Sequence, residues 1–456
     1  MINTLSKRII CKLLIIVLTL SIVFSSLSSC GIFEYFAESK EEIVLNVEQS
    51  KENSRNSYVA DYLREWGLPS FDTFKFKYME EVVHQLYNYG NGLPTLYSHA
   101  VETVSLFIEY LYDETDLKNS KDVTDALLLC YSAALDDPYT IYRAPTETDD
   151  FLTDMSGEFG GIGVLIRYDH DNKTISVDEV SADSPAEKAG LKSGDFIYAI
   201  DGKTVESIGY DKAVDYVRGD VGTDVQITVI RNEEYITYTV TRGKIIDTSV
   251  SYEIDLGSGI GYIKITGFKK NTADLFKEAI SFMEEQNAKG IIFDLRGNPG
   301  GYVRSVTDVI SYLVPDNQLV VSYQYKGQPS TNYVTGNDSE NPDHVVSLPF
   351  VVICNEGTAS AAEIFTSAIR DYRNSNLLNA TIVGTNSYGK GIMQNTYYYI
   401  DGSSITMTVA YYNPPSGVNY HGIGIIPDVI VENDDSDIDL QLKAAYTEMH
   451  KLLNNN

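Results

Sequence analysis

Basic residues are scarce in this chain of 456 residues. It carries 35 Lys and Arg against 64 Asp and Glu, which gives a formal net charge of −29. A protein that binds nucleic acid needs clustered Lys and Arg to displace the counterions of the phosphate backbone. The sequence contains nothing of that kind, and this argues against a nucleic-acid-binding function.

Cysteine is rarer still, with four residues in the whole sequence. Cys130 and Cys354 lie in the apolar stretches LLLCYSA and VVICNEG. A packed, unpaired thiol is the expected state in such surroundings. We therefore expect neither a disulfide framework nor a cysteine-based metal site.

The sequence is also poor in long apolar runs, and the pronounced one spans residues 13–24. A transmembrane helix needs about 20 apolar residues, so this run is short for one, although that interpretation stays open. Early basic residues and following small residues are typical of a signal sequence. LSSCG at residues 27–31 resembles the bacterial lipobox, in which the cysteine is lipidated. We therefore expect a lipoprotein signal peptide over 1–29, lipidation of Cys30 and a polar tether over 30–57.

The remaining sequence changes its pattern several times, and its length suits two or three domains. Residues 58–156 predict a helical region, in which apolar residues repeat at helical spacing until the proline-marked turn DDPYTIYRAP at 136–145. Residues 157–245 alternate apolar and polar residues as short strands do, with two short helices. Strands and helices then alternate over 246–435, which is typical of a layered α/β domain. Residues 436–456 predict a helix that docks on the body through Leu442, Tyr446, Met449 and Leu453.

The segment RGNPGG follows the apolar strand GIIFD and precedes a helix. Gly297, Gly300 and Gly301 allow close approach of the backbone, with N–H groups exposed at the helix start. The pattern is not a phosphate-binding loop, because GxxxxGK[ST] is missing, and no acidic residue completes a dinucleotide fingerprint. Two interpretations remain, a tight strand-to-helix turn and an oxyanion hole.

Ser360 lies in a second segment of this layout, NEGTASAAEIF, between an apparent strand and an apparent helix. Its small neighbours leave room for a substrate carbonyl, and the amide of Ala361 is positioned to serve an oxyanion. The alternative is that Thr358 or Ser360 only caps the helix, with Glu363 reaching back to it.

A nucleophilic serine needs a base, and the six histidines stand in contexts without an acidic partner pattern. Lys390 is the better candidate, since it lies between Gly389 and Gly391 at the end of an apolar strand. A lysine acts as a base only when desolvation lowers its pKa toward neutral. Gln394 could hold the lysine amine, or it could be an ordinary polar residue of a strand.

FGGIGV, DLRGNPGG, NEGTASAAEIF and SYGKGIMQ occur in this order, and together they resemble the carboxy-terminal processing proteases of peptidase family S41. The resemblance runs from about Asp136 to Val431 and implies a Ser–Lys dyad that needs no metal or cofactor. It makes Ser360 the nucleophile, Lys390 the general base and Gln394 the residue that orients the lysine. It also implies an oxyanion hole of backbone amides from Ala361 and from the PGG turn, where Gly300 is the first candidate and Gly301 the second.

The fold implied is an α/β crotonase-like (ClpP-like) protease domain with an inserted PDZ domain and an N-terminal helical region. The PDZ resemblance implies that a glycine loop binds the free C-terminus of a protein substrate, through Gly160, Gly161, Ile162, Gly163 and Val164. Arg218 matches an arginine that couples the PDZ domain to the active site in some members. It could equally be a solvated cation at a helix end.

The expected function is therefore that of a serine endopeptidase that cleaves extracytoplasmic proteins near their C-termini, anchored by lipid to the outer side of a bacterial cell membrane. Assembly into a homo-oligomer is a further expectation of the resemblance. One alternative is a PDZ adaptor lipoprotein with an inactive protease domain, although the intact Ser360, Lys390 and Gln394 argue against it. The other is an acyl-CoA-handling enzyme of the crotonase type, for which an exported chain is a poor setting.

Overall fold

The computed structural model describes most of the chain beyond residue 70. The described residues are 71–87, 122–135, 137–170, 172–325, 328–336, 346–434 and 438–454, with single helical positions at 59, 60, 63, 100, 103 and 104. The predicted signal peptide, Cys30 and the tether lie outside them. Within this part of the chain no helix is long and apolar enough to cross a membrane.

The elements are numbered here in chain order. The helices are α1 (Thr73–Leu86), α2 (Val123–Ala133), α3 (Pro145–Ser156), α4 (Pro185–Ala189), α5 (Val205–Ile208), α6 (Tyr210–Val217), α7 (Thr272–Glu285), α8 (Val303–Ser311), α9 (Ala361–Asn374) and α10 (Leu440–Asn454). The strands are β1 (Ile141–Arg143), β2 (Glu158–Gly161), β3 (Val164–Asp169), β4 (Thr174–Val180), β5 (Phe196–Ile200), β6 (Lys203–Thr204), β7 (Asp224–Arg231), β8 (Glu234–Thr241), β9 (Gly243–Ile246), β10 (Val250–Asp255), β11 (Ile260–Ile265), β12 (Gly290–Asp294), β13 (Leu319–Tyr325), β14 (Ser330–Val334), β15 (Phe350–Cys354), β16 (Ala380–Gly384), β17 (Ile392–Tyr398), β18 (Ser404–Asn413) and β19 (Val429–Ile430).

The chain divides into two compact units. The first unit takes residues up to 150 together with 321–332 and 390–422, and the second unit takes the rest. The first unit therefore includes Lys390–Gly422, a segment that the sequence pattern assigns to the 246–435 domain. Pairing with β18 explains this division, because β1, β13 and β17 all bond to that strand.

The first unit is built on a five-stranded sheet in which β1, β13 and β17 run antiparallel to β18 and β14 lies beside β13. β1 is a strand inside the segment DDPYTIYRAP, for which the sequence predicts a turn that ends the helical pattern. Ile141–Arg143 bond to Ser404–Thr406, and this long-range pairing overrides the local pattern. The helices α1 and α2 meet through Phe76 and Tyr131, whose ring centroids lie 5.5 Å apart.

An ion cluster around the buried Lys75 joins three elements of the first unit. The ammonium of Lys75 on α1 lies 2.5 Å from Asp125 on α2 and 2.7 Å from Asp401 in the turn between β17 and β18. Burial alone lowers the pKa of a lysine, but the two carboxylates outweigh that effect and the pKa of Lys75 is raised. The cluster therefore stabilises the charged lysine inside the unit.

The second unit contains a six-stranded sheet in the order β10-β11-β12-β15-β16-β19. The strands β11, β12, β15, β16 and β19 are parallel, and β10 is antiparallel at one edge. All five residues of β12 and of β15 are buried, as expected for central parallel strands covered on both faces. This confirms the α/β layering that the alternating pattern predicts.

The C-terminal helix α10 packs on this sheet. Ala445 and Met449 are buried against sheet residues, and Leu442, Tyr446 and Leu453 pack beside them. The apolar face predicted from the helical spacing is therefore confirmed. Both described cysteines, Cys130 and Cys354, are buried thiols, as their apolar surroundings predict.

The second unit also contains a smaller antiparallel sheet in the order β3-β4-β5-β7-β8, with β6 beside β5. Its core includes Ile197, Ile227 and Val229 of the sheet, with Ala213 and Val217 of α6. β2 and β9 pair as a separate two-stranded ribbon. In the chain, β2 precedes the strands of the small sheet and β9 follows them. These strands and the short helices α4 and α6 follow the order that the sequence predicts for residues 157–245.

Candidate active site

Ser360 lies in the turn that joins the central strand β15 to the helix α9. Its backbone has φ 54° and ψ −117°, a left-handed conformation that non-glycine residues rarely adopt. Such a conformation costs about 1–3 kcal/mol and persists only where the surroundings hold it. A strained serine between a strand and a helix is the device by which hydrolases expose a nucleophilic hydroxyl.

Hydrogen bonds from the neighbouring loop hold this turn in place. The side-chain oxygen of Asn355 accepts the amides of Gly297 and Gly357 at 2.9 and 3.1 Å. The hydroxyl of Thr358 donates to the Leu295 carbonyl at 2.8 Å. The two strand-to-helix turns after β12 and β15 therefore support one another.

Glu363, in the first turn of α9, connects this turn to a third segment. Its buried carboxylate accepts the amide of Ser360 at 3.0 Å, which is the reach-back bond of a capping box. The same carboxylate accepts the hydroxyl of Ser387 and the amide of Gly389, both at 2.6 Å. One side chain thus fixes the backbone of the candidate nucleophile and the segment directly before Lys390.

The sequence suggests Glu363 only as a helix cap. The spacing of three residues from Ser360 is the signal for that role. The bonds to Ser387 and Gly389 span 24 and 26 residues, and no local pattern predicts them.

The glycine loop after β12 lies directly against Ser360. A Cβ atom placed on Gly300 would lie 2.7 Å from the Cβ atom of Ser360 and 2.8 Å from the nitrogen of Ala361. Only glycine fits there, and its φ of 102° is also a conformation that favours glycine. The loop is held from the other side by Phe268, whose amide donates to the Gly300 carbonyl and whose carbonyl accepts the Tyr302 amide, both at 2.8 Å.

The backbone amides around Ser360 differ in whether they already donate a hydrogen bond. The Gly300 amide donates to the side-chain oxygen of Asn298 at 2.9 Å. In the part of the chain that the structure describes, the amides of Gly301 and Ala361 donate to no acceptor. Of the three predicted oxyanion donors, Ala361 and Gly301 are therefore the two whose amides are not engaged.

An ion cluster anchors the start of the same loop. The guanidinium of Arg296 bonds to the buried Asp294 at 2.6 Å and to Asp439, just before α10, at 2.8 Å. The hydroxyl of Tyr262 donates to Asp294 at 2.7 Å. No local sequence pattern singles out these residues, because Asp439 lies 143 positions after Arg296.

Lys390 and Gln394 belong to the first unit. The ammonium nitrogen of Lys390 lies 4.7 Å from the ring centroid of Tyr139. Gln394 lies at a β-bulge in β17, and its amide nitrogen donates to the hydroxyl of Thr408 at 3.4 Å. The role of Gln394 in orienting Lys390 stays a prediction.

The structure differs from the predicted glycine loop of the PDZ segment. Gly160 and Gly161 belong to β2 and pair with β9, and Val164 begins β3, so only Ile162 and Gly163 form a link. Close packing explains the difference, because a Cβ atom on Gly160 would lie 1.9 Å from the Gly219 carbonyl oxygen. Ile162 is buried in the core of the small sheet.

Arg218 directly follows α6 and is exposed. Its guanidinium lies 4.7 Å from the ring centroid of Phe159 on β2, a cation–π contact. The contact brings Arg218 to the strand that leads into the Ile162–Gly163 link. Its role in coupling stays a prediction.

Comparisons with known proteins agree with these features. The family model for peptidase family S41 matches residues 259–431, and a PDZ domain model matches residues 176–231. A probable CtpA-like serine protease of Staphylococcus haemolyticus is 35% identical over 326 residues, which cover 70% of this chain and 63% of that protein. A carboxyl-terminal-processing protease of Synechocystis is 33% identical over 305 residues, which cover 66% of this chain and 69% of that protein.

Among solved structures, a photosystem II D1 C-terminal processing protease is 26% identical, with a TM-score of 0.43. The match covers 77% of this chain and 91% of that one. The aligned part of this chain thus spans a little under two thirds of the Staphylococcus haemolyticus relative and a little over two thirds of the Synechocystis one.

Proposed function

Because the chain belongs to the carboxyl-terminal-processing proteases of peptidase family S41, we propose that it is a serine endopeptidase that cleaves polypeptides near their C-termini. The observation that carries this proposal is the strained turn at Ser360, packed against Gly300 and next to the unengaged amide of Ala361. A strained serine beside unengaged backbone amides suits acyl transfer.

In the proposed mechanism Lys390, neutral at rest, accepts the proton of the Ser360 hydroxyl as its oxygen attacks the substrate carbonyl. The amides of Ala361 and Gly301 donate to the oxyanion that develops. The lysine ammonium then gives its proton to the leaving amine. Water, deprotonated by the same lysine, attacks the acyl-enzyme and releases the second product.

The finer description of the fold is part of this proposal. A sheet with five parallel strands and helices that start at the carboxyl ends of β12 and β15 suits a crotonase-like (ClpP-like) protease domain. Segments 58–156 and 157–245 would then be its N-terminal helical region and its inserted PDZ domain.

We propose that the PDZ domain binds the free C-terminus of the substrate at the Ile162–Gly163 link and along β3, which is an edge strand. Arg218, next to β2, would report this binding to the protease domain. A pair of peptides that differ only in a free or an amidated C-terminus tests the first part. Tighter binding of the free carboxylate supports it, and equal affinity contradicts it.

The N-terminal sequence supports a location. With an apolar run over residues 13–24 and LSSCG over 27–31, we propose that Cys30 is lipidated and that the enzyme works on the outer side of a bacterial cell membrane. Mass spectrometry of the N-terminal peptide after expression in bacteria tests this. A protein that still begins at Met1, or one whose Cys30 carries no lipid, would contradict it.

The protease assignment is tested by digestion of an unfolded protein with four variants beside the wild type. Ser360→Ala and Lys390→Ala remove the proposed dyad. Ser251→Ala on β10 and Lys443→Ala on α10 are matched controls, because both side chains are exposed. We expect cleavage by the wild type and the two controls only. Equal cleavage by all five proteins contradicts the dyad, and no cleavage by the wild type with peptide binding intact favours the adaptor.

A further inference from the structure

The proposed mechanism leaves unused the turn formed by residues 137–140, in the DDPYT segment. Asp137 is buried, and its carboxylate accepts the amide of Tyr139 at 2.9 Å and the hydroxyl of Thr140 at 2.7 Å. The Thr140 amide also donates to the Asp137 carbonyl at 3.1 Å. The carboxylate therefore fixes the backbone of the turn at Tyr139 and the hydroxyl of Thr140.

The ring of Tyr139 faces the proposed base. The Lys390 ammonium nitrogen lies 4.7 Å from its centroid, within the range of about 6 Å over which a cation is attracted to an aromatic face. The ring is itself packed, since the His421 ring lies edge-on to it at 6.5 Å. His421 in turn contacts Tyr411 at 5.8 Å.

Thr140, the next residue of the turn, is connected to Gln394 through Thr408. The buried hydroxyl of Thr140 accepts the amide of Thr408 on β18 at 3.3 Å. The hydroxyl of Thr408 accepts the side-chain amide of Gln394 at 3.4 Å. Gln394 lies at the β-bulge of β17, a place where a strand re-aims a side chain. One four-residue turn therefore contacts Lys390 directly and Gln394 through Thr408.

We propose that the 137–140 turn is a positioning element for the base: the Tyr139 ring holds the ammonium that Lys390 forms when it takes up a proton, and Thr140, through Thr408, keeps Gln394 in register. This inference rests on the proposed role of Lys390. Tyr139 is a positioning residue, since it acts on the lysine and not on the substrate.

The contact has a predictable effect on the lysine. An aromatic face attracts the ammonium and not the neutral amine, so Tyr139 stabilises the protonated form. The other titratable groups packed here from the first unit are Asp137 behind the turn, His421 and Tyr411 beside the ring, and Tyr412, whose hydroxyl donates to the Lys390 carbonyl. A protonated His421 would repel the ammonium, so the ring signals of His421 are followed in the same titration.

Nuclear magnetic resonance of the whole protein with ¹³C at the lysine ε position tests the contact without any substrate. The Lys390→Ala variant identifies the Lys390 signal, and its midpoint is measured in wild type, Tyr139→Leu and Tyr139→Phe. We expect Tyr139→Leu to lower the midpoint by about 0.4 to 1.5 pH units and Tyr139→Phe to leave it nearly unchanged. Unchanged signals from the other lysines show that the variants are folded. A midpoint that is the same in Tyr139→Leu and wild type overturns the proposal.

Kinetics separate this inference from the protease assignment. If both hold, the acid limb of the pH profile of kcat/KM moves to lower pH in Tyr139→Leu and returns with Tyr139→Phe. Thr140→Val should lower kcat several-fold with KM little changed, because it loosens Gln394 rather than the substrate site. Unchanged kcat in Thr140→Val overturns the second half of the inference. If Lys390→Ala still cleaves while the Lys390 titration depends on Tyr139, the contact stands and the proposed base is wrong.

Discussion

Two strand-to-helix turns meet at the candidate site, and they reach unusual backbone conformations by different means. The turn after β12 uses glycine, with φ 69° at Gly297 and 102° at Gly300. The turn after β15 holds a serine, with φ 54° at Ser360. Glycine is sufficient where the backbone alone is needed, and strain is tolerated where a side chain is needed. The contrast supports the role proposed for the Ser360 side chain.

The largest expected effect comes from breaking the glycine turn at its contact with Ser360. Gly300→Ala places a methyl group 2.7 Å from the Ser360 Cβ atom, so the two turns must separate. We expect kcat/KM for a peptide substrate to fall at least about 100-fold, the usual cost of losing oxyanion geometry.

Gly297→Ala is the matched control for that variant. Gly297 also has a positive φ, but a Cβ atom there would meet nothing within 4 Å. It should lose about 1 kcal/mol of unfolding free energy and keep most activity. Equal loss of activity in the two variants would show that the contact with Ser360 is not what requires glycine.

The second effect concerns Glu363, which holds the serine turn. In Glu363→Gln an amide NH₂ replaces one oxygen and faces the donors of Ser360 or of Ser387 and Gly389. We expect kcat to fall about 10- to 100-fold with KM little changed, and the unfolding free energy to fall by about 2–3 kcal/mol. Steady-state kinetics and denaturant unfolding measure both.

Glu356→Gln provides the comparison for Glu363, because it changes an exposed carboxylate of the same turn. Its effect on stability should stay within about 0.5 kcal/mol. If Glu363→Gln behaves like Glu356→Gln, the buried carboxylate does not hold the site.

The strain at Ser360 predicts a smaller effect, a difference in stability between two substitutions of this residue. Ser360→Gly should be inactive but more stable than Ser360→Ala by about 0.5–1 kcal/mol, because glycine adopts φ 54° without strain and loses part of that gain through its freer unfolded state. Thermal or urea unfolding of the two variants measures the difference. A Gly variant less stable than the Ala variant would mean that Ser360 is not strained.

For the cysteine that ends β15, we expect no effect of a thiol reagent. Burial, with nearby carboxylates, raises the pKa of Cys354 to about 12, so the thiol stays protonated and unreactive at pH 8. Iodoacetamide should leave both Cys354 and the activity of the native enzyme unchanged. Rapid alkylation of Cys354 in the folded protein would contradict the buried state of the strand that carries the turn.

Sequence patterns predict the features whose causes are local. The α/β alternation, the element order of 157–245, the apolar face of α10 and the capping position of Glu363 all follow from spacing. The bonds from Glu363 to Gly389, from Arg296 to Asp439 and from β1 to β18 do not, because they join residues far apart in the chain. The Asn298 side chain engages the Gly300 amide only two positions away, but its own amide donates to the Ile265 carbonyl, 33 positions away, and no local pattern predicts that bond.

Acylation of Ser360 tests whether this residue is the nucleophile. The enzyme is treated with a reactive β-lactone, which acylates a nucleophilic serine, and the adduct is located by peptide mass mapping while residual cleavage is measured. We expect one adduct on Ser360, formed in step with the loss of cleavage and absent from Ser360→Ala. Inactivation with the adduct on another residue, or full cleavage by enzyme acylated at Ser360, would contradict it.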